Sequence, residues 1–162
     1  MITSAANEHI KALRKLEQAK DRRASGDFLA EGLKAVGQAF DSGAKIHELL
    51  VSPELLVSEY GRSLTKLARK RDIPILELSP SVFATLARKE KPQGVAARIS
   101  QNWSDLRSTS AKSGSFWVAL ESIQNPGNLG TILRTCDAVG ASGLILLDDS
   151  TDPYDPAAVK AS

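Results

Sequence analysis

The chain is poor in the residues that build covalent or metal-stapled folds: of its 162 residues one is cysteine, Cys136, and two are histidines, His9 and His47. A lone cysteine excludes an intrachain disulfide and suits a reducing compartment. Neither histidine has a cysteine or a second histidine at ligand spacing, so no metal site is expected. Two Trp, two Tyr and four Phe are too few to spell a base-stacking surface. No apolar run approaches the roughly 20 residues that cross a bilayer, and the N-terminus lacks the apolar core of a secretory signal. The expected setting is the cytoplasm, with no membrane partner. Internal repeats and low-complexity tracts are missing as well.

Positive charge is scarce in the second part of the chain. Residues 1–100 carry 17 Lys plus Arg against 12 Asp plus Glu, a net of +5; residues 101–162 carry 4 against 7, a net of −3, and the two return the chain's +2. A positive first segment suits a polyanion, and Lys20, Arg22 and Arg23, with the basic run at residues 66–71, are candidates for phosphate contact. The competing reading is ordinary solvated helix faces. Asp148, Asp149, Asp152 and Asp155 read as an acidic surface turn rather than a cation site.

In the first hundred residues the apolar pattern alternates between helical and strand periods. Ile10, Leu13 and Leu16, with Lys11, Arg14 and Lys15 between them, predict an amphipathic helix started near Ser4. Leu33, Val36 and Phe40 predict another, ended by Gly43, and short helices follow at residues 53–60 and 64–71. Strands are expected at residues 28–31, 46–51, 73–78 and 94–99, with Ser81 capping a turn over 82–86. Such alternation implies one α/β domain over residues 1–100. Residues 101–115, rich in Ser and Thr, read as a linker, with Trp103 and Leu106 packing on one of the domains.

The most informative stretch is Asn125-Pro126-Gly127-Asn128-Leu129-Gly130 and the ten residues after it. It lies between apolar runs at 116–120 and 144–147, giving strand, tight loop, helix, strand. A loop that opens onto a helix N-terminus offers free N–H groups to a phosphate or another anion. Leu129, Ile132, Leu133, Cys136 and Val139 form the apolar stripe, Asn128 is the expected N-cap, and Gly140 or Gly143 the stop. Arg134 points nearly opposite that stripe, towards solvent, loop or partner. One βαβ unit cannot cover both faces of a parallel sheet, so residues 116–162 read as the opening of a domain.

Asn125-Pro126-Gly127-Asn128-Leu129-Gly130, followed by Ile132-Leu133-Arg134-Thr135-Cys136-Asp137-Ala138-Val139-Gly140, resembles the first conserved motif of the SpoU/TrmH family. These are S-adenosylmethionine-dependent RNA 2'-O-ribose methyltransferases of the SPOUT (trefoil-knot) superfamily. Arg22-Arg23, Gly26-Asp27-Phe28-Leu29-Ala30-Glu31-Gly32 and Pro92-Gln93-Gly94-Val95-Ala96-Ala97 are similar to the substrate-binding domain that precedes the methylase in many members. That domain is an αβα sandwich like the ribosomal protein L30e. The resemblance implies an α/β chain with an L30e-like RNA substrate-binding domain at 1–100, a linker at 101–115 and the N-terminal part of the SPOUT domain at 116–162. It implies RNA, ribosomal or transfer, as partner and a homodimer for the full-length protein. The family's later motifs, which hold most of the methyl donor, have no counterpart here, and residues 155–162 resemble the run-up to the second. The chain is therefore expected to be a fragment, inactive by itself, with most of the S-adenosylmethionine site missing and no cofactor residue assignable.

The resemblance also assigns roles. Arg134 matches the arginine that acts on the ribose hydroxyl, as base or as cationic clamp; an arginine guanidinium holds its proton under ordinary conditions, so both roles stay open. Asn128 is expected to hold Arg134 or the ribose, and Asn125, Gly127, Arg22 and Arg23 to touch RNA. Glu31 matches a recurring Glu-Gly pair with a structural role. Two other function classes compete. A non-catalytic RNA-binding module would use the first domain alone, although the GXXG of a KH domain joins two helices. A dinucleotide-binding domain would use Gly127, Gly130 and Asp148, but the required G-x-G-x-x-G is absent.

Overall fold

The structure, a computed structural model, describes residues 1–88, 91–109 and 115–162. It divides into two compact units, Met1–Ser100 and Gln101–Ser162. The first runs α1 (Glu8–Lys15), α2 (Ala19–Ser25), β1 (Asp27–Glu31), α3 (Leu33–Asp41), β2 (Ile46–Val51), α4 (Glu59–Lys70), β3 (Ile75–Glu77), α5 (Pro80–Ala84) and β4 (Val95–Ser100). Its sheet has the order β1-β4-β2-β3, with β4 antiparallel to both neighbours and β2 parallel to β3. Successive residues of a strand face opposite sides, and β2 and β4 use both. Leu50 and Ala96 meet Ile10 and Leu13 of α1, Leu16 just beyond it, and Val82 and Phe83 of α5. Leu49 and Ala97, equally buried, turn to the face on which α3 and α4 pack. The result is an αβα sandwich.

Local chemistry sets the helix starts, and it moves several of them from where periodicity put them. The Asn7 side chain accepts from His9 N at 2.9 Å, so α1 begins after Asn7 rather than near Ser4. The helices expected at 53–60 and 64–71 are a turn and then one continuous helix, α4, capped by Ser58, whose hydroxyl accepts from Gly61 N at 2.9 Å. Ser79, not Ser81, caps α5, with Pro80 in the first helical position. The strand expected at 73–78 shortens to Ile75–Glu77, and Leu78 makes a parallel bridge to Ile2.

Arg22 requires a larger correction. It was expected to meet RNA phosphate, yet it lies on α2, is 1% exposed and donates from Nη1 to Leu16 O at 2.9 Å and Glu17 O at 2.7 Å. Those carbonyls follow the last turn of α1, where they lack helical partners, so the guanidinium serves as a C-terminal cap. Arg23 is exposed. At one edge of the same unit Glu48 and Asp27 are buried among cations and imidazoles. His9 Nε2 lies 2.7 Å from Glu48, Arg98 Nε 2.8 Å from Glu48 Oε1, and His47 Nε2 3.1 Å from Asp27 Oδ1. The Arg98 contact is an ion pair whose N–H is not aimed at the oxygen.

The second unit contains β5 (Trp117–Glu121), α6 (Pro126–Ala138), β6 (Gly143–Leu147) and α7 (Pro156–Ala161), with β5 parallel to β6. The start of the expected linker is tied into this unit: the Tyr154 hydroxyl donates to Asn102 O and accepts from Asn102 N, each at 2.8 Å. Trp103 meets the Tyr154 ring edge-on with centroids 5.3 Å apart. Burial pushes the Tyr154 phenol above its usual pKa, against the opposing pull of the Asn102 hydrogen bond, so both bonds persist through the neutral range. Leu106 is exposed instead of packed, and the expected linker residues 110–114 lie outside the described residues.

Arg22→Ala is expected to lower stability by about 3 kcal/mol, because a buried and a half-buried carbonyl lose a charged donor. Arg23→Ala is expected to stay within about 0.5 kcal/mol of the parent. Urea unfolding of the two variants measures the difference, and equal effects would remove the capping role.

Candidate functional site

The site grows from the β5–β6 pair. Parallel strands cannot be joined by a hairpin, and the connection from the end of β5 to the start of β6 is α6, whose N-terminus therefore stands at the C-terminal edge of the strands. The loop before it is stitched to the loop after β6: Gln124 Nε2 donates to Asp149 O at 2.6 Å, and Thr151 N donates to Ile123 O at 2.7 Å. No residue pattern announces the Gln124 bond, since its partner is a backbone carbonyl 25 residues away.

Asn125, rather than Asn128, is the N-cap. Its Oδ1 accepts from Asn128 N at 3.0 Å, and Pro126 occupies the first helical position, where its missing N–H costs nothing. Asn128 thus lies inside the first turn, with its amide side chain exposed. The helix ends at Ala138 with Gly140 in the left-handed region (φ 72°), which lets Ala141 N reach Cys136 O at 2.9 Å. Gly143 is not the stop; it opens β6 beside the Trp117 ring, where a side chain would collide.

Leu129 and Cys136 of the expected stripe are buried, Ile132 and Leu133 are half-buried, and Val139 is 59% exposed. A 13-residue helix of about 20 Å outruns five-residue strands of about 17 Å, which leaves its last turn uncovered. α7 packs across the first turns of α6 at Gly130, where an added Cβ would strike the Ala158 carbonyl and the Ala161 methyl. Asp155 caps α7 through Ala157 N at 2.8 Å, and Asp152 accepts from Tyr154 N at 2.8 Å, so two of the four clustered acids have turn-forming work. Among the described residues no group of three or more His, Cys, Asp or Glu is placed to hold a metal ion.

Arg134 is exposed, without a hydrogen bond or ion pair among the described residues. It follows Gly127 by seven residues, two turns, so the two share one side of α6 about 10 Å apart along the axis. Asn128 and Arg134 are six apart, which sets them about 120° around the helix and about 9 Å along it. The helix holds them away from each other, and no bond joins them; of the two expected roles of Asn128, holding Arg134 or holding the ribose, the first has no contact in this structure. The structure thus gathers Asn125, Gly127 and Asn128 at the loop, with Arg134 two turns on; Arg22 and Arg23 belong to the other unit. The arrangement presents the open N–H of Gly127, the positive end of a helix and a guanidinium without a partner among the described residues, all suited to an anionic ligand.

Comparison with known proteins agrees with this chemistry. Residues 7–97 match the MRM3-like substrate binding domain, and residues 115–162 match the SpoU rRNA Methylase family. The chain is 30% identical, over 87% of its length and 48% of the relative's, to the 23S rRNA (uridine(2479)-2'-O)-methyltransferase of Streptomyces viridochromogenes. It is 30% identical, over 94% of its length and 56% of the relative's, to the 23S rRNA (guanosine(2553)-2'-O)-methyltransferase RlmP of Bacillus subtilis. A solved AdoMet-bound rRNA methyltransferase from Sinorhizobium meliloti is 39% identical, with a TM-score of 0.86 over 99% of this chain and 59% of that one. The chain spans about half the length of the curated relatives it matches.

Asn125→Ala is expected to cost about 1 kcal/mol of α6 stability, the usual value of an N-cap. Asn128→Ala, which removes no cap, is expected to change it by less than about 0.5 kcal/mol. Native-state hydrogen exchange of the α6 amides reads both; the reverse order would return the cap to Asn128.

Proposed function

Because the chain belongs to the SpoU/TrmH family of RNA methyltransferases, we propose that it serves 2'-O-methylation of ribose in RNA, ribosomal RNA foremost, with S-adenosylmethionine as methyl donor. The relatives named for Streptomyces and Bacillus act on a uridine and a guanosine. The feature common to those substrates is the ribose, and a site that reads backbone rather than base suits an exposed guanidinium beside a helix N-terminus. In this reading residues 1–100 bind the RNA substrate, residues 101–115 connect, and residues 116–162 open the methylase domain.

The observation that carries the reading is Arg134, unpaired and on the same side of α6 as Gly127. A ribose hydroxyl is a weak nucleophile, and its reaction needs either removal of its proton or stabilisation of the charge developing on oxygen. A guanidinium supplies the second directly and grips the neighbouring phosphate with paired N–H groups. Asn125 shapes the loop through its cap, Gly127 lets RNA approach the backbone, and Asn128 offers its exposed amide to the ribose.

The residues described here do not by themselves enclose the donor. None of the ten residues of β5 and β6 is buried, whereas a small-molecule site covers most of its ligand's surface. No residue of this segment is assigned to S-adenosylmethionine, and covering these strand faces takes more protein surface than α6 and α7 provide. The same open faces, with exposed Phe116, Val139 and Leu147, support a homodimer. The single free cysteine supports a cytoplasmic setting, and no described helix is long and apolar enough to cross a membrane.

Calorimetry on the 162-residue chain is expected to show no binding of S-adenosylmethionine at micromolar concentration; micromolar affinity would overturn the open-site argument. In the longest product of the gene, Arg134→Ala is expected to abolish transfer of a labelled methyl group to ribosomal RNA, with RNA affinity and unfolding temperature nearly unchanged. Partial rescue by Arg134→Lys identifies a charge clamp, since lysine keeps the charge and loses the planar fork. Wild-type turnover by the alanine variant would remove Arg134 from the mechanism, and absence of methyl transfer by the parent would leave a non-catalytic RNA-binding module.

A further inference from the structure

β3 is the edge strand of the first sheet, and its free side borders an open cleft. Pro74 O accepts from Leu49 N and Leu78 N donates to Val51 O, so the peptide groups of Leu76 also face β2 and those of Ile75 and Glu77 turn outward. Ile2 takes one of the outward groups: its N–H donates to Glu77 O at 2.7 Å, and its carbonyl accepts from Ser79 N at 2.9 Å. The N–H and C=O of Ile75 and the N–H of Glu77 remain on the outer edge. Beside them lies a cleft of about 470 Å³, walled by Ile2, Ile73, Ile75 and Leu76, with Arg69 and the exposed Glu77 at its sides. Its size falls within the range of small-molecule sites, about 300–1,000 Å³.

Positive charge reaches the cleft along α4, opposite the Glu77 carboxylate of its lining. Arg62, Lys66 and Arg69 of α4 are exposed and fall within about 60° of one another around the helix over about 10 Å. Lys66 and Arg69 make no ion pair or side-chain hydrogen bond among the described residues. Arg71, the last cation of the basic run, is engaged elsewhere: it stands over the Phe40 ring at 5.4 Å and donates to Phe40 O at 3.1 Å. The stripe therefore leads into the cleft at Arg69 and not past it.

From this juxtaposition we propose that the cleft is a nucleotide-binding site that takes one unstacked base of RNA, with the flanking phosphates on Arg69 and Lys66. It rests on the reading of RNA as the substrate and names the surface that receives it. The isoleucines and Leu76 cover the faces of the base, the outward peptide groups of β3 meet its edge, and the Glu77 carboxylate accepts from an exocyclic amino group. Cytosine, adenine and guanine carry such a group and uracil does not, so the site discriminates against uridine.

The test is fluorescence anisotropy of short single-stranded oligonucleotides of C, A or U with the 162-residue chain, across a range of salt concentrations. The C and A probes are expected to bind several-fold tighter than U, and Glu77→Gln to erase that preference without changing the unfolding temperature. Arg69→Glu is expected to weaken all three by about tenfold and to flatten the dependence of log K on log salt, while Lys160→Glu on α7 changes neither. RNA binding that is blind to base and indifferent to Arg69→Glu would overturn the cleft and leave RNA recognition standing. No RNA binding by the parent chain at low salt would overturn both. Concentration-dependent self-association lost on Ile75→Pro, with RNA binding unaffected by it, would give the β3 edge to strand pairing between copies and overturn the nucleotide site.

Discussion

The parallel pairing of β5 with β6 governs the second unit. Register from Trp117 with Gly143 to Glu121 with Leu147 obliges the chain to leave one end of the strands and return at the other, and a helix is the compact way back. Its N-terminus then has one place to stand, at the C-terminal edge of the strands. Pro126 has no N–H, Asn125 accepts from Asn128 N with its side chain and from Leu129 N with its carbonyl, and the N–H of Gly127 is left open. Two turns later the same side of the helix delivers Arg134. Had the strands been antiparallel, a short turn would have replaced the helix, and neither the anion-facing terminus nor the arginine two turns along it would exist.

The first unit shows how little a count of charges says about a surface. Its excess of cations is real, but several of them are used internally. Arg22 closes the end of α1, Arg71 packs over Phe40, and Arg98 stands between the buried carboxylates of Asp27 and Glu48 at 3.6 Å and 2.8 Å. Each of these groups is held where losing it would strand a carbonyl or a buried acid, which is expensive in a low dielectric. The cations left for a polyanion are those on outward faces, among them Lys20 and Arg23 on α2 and Arg62, Lys66 and Arg69 on α4. The positive field that a polyanion would feel at a distance comes from the whole set, while contact at short range would fall to the smaller one.

What the sequence determined by itself is the set of elements that depend on neighbours in the chain. The α/β alternation, the buried positions Ile10, Leu13, Leu16 and Leu129, and the strand–loop–helix–strand order at residues 116–147 all follow from apolar period and from glycine and proline placement. Those signals act over a few residues, so a window of sequence contains them whole. Tertiary structure decided whatever depends on a distant partner. Val139 belongs to the apolar stripe by period, yet it is exposed because the strands end before the helix does. Arg22 and Arg23 are adjacent and chemically identical, and only the position of the α1 carbonyls sends one inside and leaves the other in water. The cap at Asn125 instead of Asn128 is different, because its signal is local: Pro126, the next residue, is at home in the first helical position and sets the cap one residue before it. For Val139 and Arg22 the deciding atoms lie on another segment, where no pattern of neighbouring residues can record them.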